Sequence, residues 1–197
     1  MNLSAPWHRY AKRFTYLATL LTLSSLSLTT LAAPLDQSKI QFIGPLAEGM
    51  QAKPFQTPHG DVVISNLLTQ LESNTESFVV FGKKHKWQPL DKINALTLGG
   101  LQALKFHIET NRFTQGSLNI TGIEQGQVFI NGEKQTGESQ SYPLALNNGS
   151  HTVILIAQLV ANWNDVSLEF VPKADTDVVT LTTNKTKRLS AKQLFDY

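Results

Sequence analysis

Between Gln127 and Val171 short runs of β-branched and aromatic residues alternate with turn-forming pairs. Gln127-Val128-Phe129-Ile130 runs into Asn131-Gly132, and Tyr142 to Leu146 runs into Asn147-Asn148-Gly149 before a second apolar stretch, His151 to Gln158. Asn and Gly accept the positive φ that tight hairpins demand, so the pattern predicts antiparallel strands joined by short turns, with Gly132 at positive φ. Leu101 to Thr110 alternates cleanly, with Leu104, Phe106 and Ile108 on one side and Lys105, His107 and Glu109 on the other. That period of two predicts a strand with one face on a core and His107 facing solvent. Further strands are predicted at 41–44, 78–81, 94–98, 118–121 and 166–170, with one more candidate at 178–181. Val62, Val63, Ile64, Leu67, Leu68 and Leu71 recur at three- and four-residue steps, which predicts one short amphipathic helix. About nine short strands at regular spacing, with at most one helix, predict an all-β, antiparallel two-sheet β-sandwich of the jelly-roll kind.

The N-terminus changes the picture of compartment. Arg9, Lys12 and Arg13 precede an apolar stretch from Tyr16 to Leu31, and Thr30-Leu31-Ala32-Ala33-Pro34 supplies a small-residue exit. This is the layout of a secretory signal peptide over 1–32, cut after Ala32. The apolar stretch is short of the roughly 20 residues a membrane span needs. The expected location is therefore periplasmic or secreted, with no membrane association once the leader is removed. The chain has no cysteine, which excludes a lipid-modified cysteine after the leader. Of 17 Lys and Arg against 15 Asp and Glu, three basic residues leave with the leader, so 14 face 15 and the mature charge is −1. A near-neutral chain of this kind argues against phosphate-driven nucleic-acid binding. Lys83-Lys84-His85-Lys86-Trp87 is the one basic cluster, and it reads as a solvated loop.

Motifs for catalysis are sparse. A nucleophile elbow needs Gly-x-Ser-x-Gly, and the chain has none. Ser150 and His151 are neighbours in a predicted strand, so they point to opposite faces and cannot share a proton. His59, His85, His107 and His151 lack zinc-ligand spacing. Asp175 with Asp177, and Glu133 with Glu138, lie in predicted linker and hairpin positions with nothing to fix their separation. No Walker loop or dinucleotide turn is present, so no catalytic residue, metal or cofactor is expected. Aromatic residues remain. Trp163 between Asn162 and Asn164 is the arrangement most like a sugar subsite, with a ring to stack on a pyranose and amides to bind its hydroxyls. Trp87 is a second candidate, although a lone Trp before a sandwich strand also serves as packing.

Gln41-Phe42-Ile43-Gly44-Pro45-Leu46 resembles the opening of secreted galactose-binding-domain-like sandwich modules. Val128 to Lys134, followed by Leu144-Ala145-Leu146-Asn147-Asn148-Gly149-Ser150-His151, resembles the strand, turn and return of the same modules. Arg188-Leu189-Ser190-Ala191-Lys192-Gln193-Leu194-Phe195-Asp196-Tyr197 resembles the lead-in to the β-propeller of exported bacterial prolyl oligopeptidase-family serine peptidases. The resemblance implies a sandwich over 33–172, then a linker and the start of a propeller-like region over 173–197. It also implies a non-catalytic accessory module, partnered in longer relatives by propeller and peptidase domains in the same chain. Neither of those domains is in this sequence, so no catalytic residue carries over. The alternative is a stand-alone carbohydrate-binding module with a glycan as partner.

Overall fold

The computed structural model describes residues 33–47, 53–73, 76–90, 100–138, 140–159 and 166–182. In chain order the elements are β1 (Ala33–Pro34), β2 (Gln41–Ile43), α1 (Gly60–Leu71), β3 (Ser77–Val80), β4 (Lys83–Lys86), β5 (Gln88–Pro89) and β6 (Leu101–Thr110). They continue with β7 (Thr114–Thr121), β8 (Ile123–Ile130), β9 (Glu133–Lys134), β10 (Ser141–Leu146), β11 (Gly149–Leu159), β12 (Ser167–Pro172) and β13 (Thr180–Thr182). One sheet has the order β1-β12-β7-β10 and the other β5-β2-β6-β11-β8-β9, with β13 also on β6. Every pairing is antiparallel. The described residues form an all-β sandwich with one α-helix, as the periodicities predict.

Between the sheets, Leu104, Phe106 and Ile108 of β6 and Val153 and Leu155 of β11 meet Leu118, Ile120, Leu144 and Phe170 from the opposite sheet. A second core lies on the far side of the larger sheet. There Leu101, Ala103, Phe129, Ile154 and Ile156 are covered by Ile64, Leu67, Leu68 and Leu71 of α1, together with Val80 and Trp87. This explains the unbroken apolar run Val153 to Ala157, because a strand buried on both faces needs no polar alternation.

The second core also corrects the reading of β6. Lys105 and His107 are each only 6% exposed. The apolar stripe of α1 needs a surface to cover, and the face carrying Lys105 supplies it. The lysine is tolerated there because its ammonium donates to the Leu71 carbonyl at the end of α1, at 3.2 Å.

Two turns with the same chemistry have different outcomes. Asn131 (φ 51) and Gly132 (φ 85) form a two-residue turn, and Ile130 pairs with Glu133 across it, as expected. Asn147-Asn148-Gly149 closes no hairpin. β10 pairs with β7 while β11 pairs with β6 and β8, so this segment carries the chain from one sheet to the other.

Lys83 to Lys86 is a strand rather than a loop, paired with Ser77–Val80. The pairing lets Phe78 and Val80 face the second core, with the rings of Phe78 and His85 at 6.5 Å. At the other end of the chain, β13 adds to β6, and Val179 and Leu181 pack on the inter-sheet core. β13 thus joins the larger sheet from beyond Pro172. The expected leader at 1–32, the strand at 94–98 and the propeller-like lead-in at 188–197 lie outside the described residues.

Candidate functional site

A polar cleft of about 400 Å³ opens at one end of the larger sheet, lined by Glu72, Asn131, Asn148, Ser150, His151 and Thr152. Three pieces of local structure build it. The β8–β9 turn presents Asn131, the crossing between sheets delivers Asn148 to Thr152, and Glu72 follows the last turn of α1.

Asn131 is bonded at both ends of its amide. Its Oδ1 accepts the Thr152 backbone N–H at 3.0 Å, which fixes Nδ2 as the group 3.1 Å from His151 Nδ1. An amide nitrogen only donates, so Nδ1 accepts and the proton sits on Nε2. That N–H donates to the Asn147 carbonyl at 2.7 Å. These two bonds hold the His151 ring in one tautomer and one orientation. Deeper in, Thr152 Oγ1 lies 3.1 Å from Nδ1 of the buried His107.

Lys105 lies beneath this network, 5.3 Å from the centre of the Trp87 ring. Burial pushes its pKa below the usual lysine range, and the Glu72 carboxylate partly restores it. The same carboxylate rests beside the Asn131-Gly132 turn, 2.8 Å from where a Cβ on Gly132 would stand. Ser150 Oγ is buried at the cleft without a hydrogen-bond partner among the described residues.

The cleft thus offers hydrogen-bond donors and acceptors on neighbouring side chains. Both nitrogens of His151 are already engaged. Among the described residues, no group of three or more His, Asp or Glu could hold a metal ion. Asp177 Oδ2 accepts the Ala174 N–H at 3.0 Å and so shapes a turn.

The residues expected to bind a ligand fall elsewhere. Trp87 is 8% exposed, and its ring is occupied by Lys105 and by Phe78, at 6.1 Å. The ring packs within the second core. Its Nε1 has no partner among the described residues. Asn162, Trp163 and Asn164 lie outside the described residues. The cleft residues escape sequence reasoning because Asn131 reads only as a turn former, and nothing local ties Glu72 to His151. The one available signal is that Asn131 and His151 flank strands of a single sheet. An exposed aromatic, Phe113, lies in the β6–β7 connection at the same end of the sandwich. There Thr110 Oγ1 bonds the Asn147 carbonyl at 2.6 Å. Comparison with protein-family models, with curated proteins and with solved structures finds no match for this chain.

Proposed function

We propose that the chain is a non-catalytic, exported accessory module whose work is recognition, and that the Glu72–Asn131–His151 cleft takes a polyhydroxylated ligand, a glycan. The observation that carries this reading is the locked His151–Asn131 pair beside an exposed carboxylate. Glu72 accepts hydrogen bonds from two adjacent hydroxyls, while the second N–H of Asn131 is open to a third. Prearranged polar groups of this kind orient a sugar at little ordering cost. The accessory role beside a larger peptidase is supported by the residues that resemble such modules. They form the β8–β9 hairpin and the crossing into β11, and the order β1-β12-β7-β10 facing β2-β6-β11-β8 suits a jelly-roll winding.

Calorimetric titration of the purified chain against neutral and acidic glycans tests the ligand class. The expected result is saturable binding, weakened about tenfold or more in Glu72→Gln, since bonds to charged acceptors contribute roughly 1.5–3 kcal/mol. Circular dichroism confirms that the fold is kept. A flat response across the panel sinks the proposal. Loss of binding in Trp163→Ala with Glu72→Gln unaffected moves the site to residues 162–164.

A further inference from the structure

The β3–β4 hairpin stands apart from the cleft, and its surface chemistry is different. Val79 pairs with Lys84 and Ser77 with Lys86, so these four side chains share the outer face. Val79 is 59% exposed there, and Phe81 at the tip is 44% exposed. Val62, also exposed, lies on α1 one turn from Asn66. Asn66, Val63 and Gln70 share a shallow groove with Phe81. Lys83, Lys84 and Lys86 are all exposed beside this apolar edge. Lys86 pairs with Glu76 at 3.9 Å, both side chains exposed, which is the weak kind of ion pair that another anion displaces.

The turn itself argues that the tip serves something besides folding. Phe81 and Gly82 occupy φ of 48 and 78, close to the 51 and 85 of Asn131 and Gly132. Asn takes that conformation readily, whereas a bulky side chain there is strained. Strain that persists at an exposed position points to a function of the residue.

We infer that the β3–β4 hairpin docks on an anionic phospholipid bilayer, with Phe81 and Val79 entering the headgroup region and Lys83, Lys84 and Lys86 on the lipid phosphates. The pairing of an aromatic tip with flanking lysines is the composition of interfacial membrane elements. A protein partner fits less well. The exposed face carries three lysines around its apolar side chains, and lysine is depleted in stable protein interfaces. The reading departs from the expectation that membrane contact ends with the leader. It is independent of the glycan cleft, whose titration can fail without touching it.

The chain contains no cysteine, so Val79→Cys carries a single environment-sensitive fluorophore in the full-length protein. Vesicles of phosphatidylglycerol and phosphatidylcholine in equal parts should shift its emission to the blue, and pure phosphatidylcholine vesicles should not. Because the leader can bind vesicles by itself, the label on the hairpin is the readout. Replacing Lys83, Lys84 and Lys86 together by Gln should lower partitioning by about a hundredfold, from roughly 1 kcal/mol per lysine near an anionic surface. Phe81→Asn should lower it about tenfold while the urea midpoint stays or rises, because Asn-Gly suits the turn. A chain that sediments with vesicles while the label stays silent overturns the proposal. So does equal partitioning of the wild type and either hairpin variant.

Discussion

Two hairpin turns in this protein have nearly the same backbone and opposite chemistry. At Asn131-Gly132 the side chain of the first residue bonds Thr152 N–H and His151, so the turn is tied into the sheet and helps to form the cleft. At Phe81-Gly82 the first residue makes no such bond, and much of its ring faces outward. One turn places its residue for the structure, and the other keeps a poorly suited residue at a surface. The difference teaches that backbone geometry sets which residues are comfortable, while departures from comfort mark where another demand acts.

Exchanging the residues is the strongest way to break this contrast. Asn131→Phe loses both side-chain bonds and gains the strain already present at Phe81. It should destabilise the domain by about 2–4 kcal/mol in urea melts, combining the lost partners with the left-handed backbone cost. A midpoint equal to wild type would show that the amide does not hold the turn. The two glycines come next. Gly132→Val should cost about 1–3 kcal/mol and Gly82→Val somewhat less, because both oppose a positive φ. Only at Gly132 must a neighbour, the Glu72 carboxylate, also move. If Gly82→Val proved the more harmful, close approach would not be what separates them. The smallest effect is expected from Phe81→Asn, a gain of up to about 1 kcal/mol that makes the two turns alike. A loss of stability instead would mean that packing of the ring on α1 outweighs the backbone strain.

The same pair of turns shows what the chain displays openly. Asn131-Gly132 between two apolar runs is legible because the turn preference and the strand period agree. The helix at Gly60–Leu71 and the alternation of β6 are legible for the same reason. Phe81-Gly82 carries no turn signature at its first position, and the lysines after it suggest solvent, so β4 reads as a loop. Asn147-Asn148-Gly149 carries the signature but joins different sheets, since local turn chemistry does not choose the partners of the flanking strands. Lys105 and His107 look solvent-facing because their burial depends on a helix more than 30 residues away in sequence. The cleft was hidden for a related reason. Its residues come from three separate elements, and each has a sufficient local explanation.

β11 is hydrogen-bonded along both edges, to β6 and to β8, and its alternate side chains enter different cores. Its central position ties the two layers into one cooperative unit. Undocking α1 would bare Leu101, Phe129, Ile154 and Ile156 together with the apolar stripe of the helix. At roughly 2 kcal/mol for each large side chain, that exposure is on the order of 10 kcal/mol, comparable to the whole stability of an ordinary domain. A state with the sandwich intact and the helix released is thus almost as high in free energy as the unfolded chain. Melting should cross a single barrier, and the surfaces carried by the outer layer, the hairpin tip and Glu72 alike, persist for as long as the fold does.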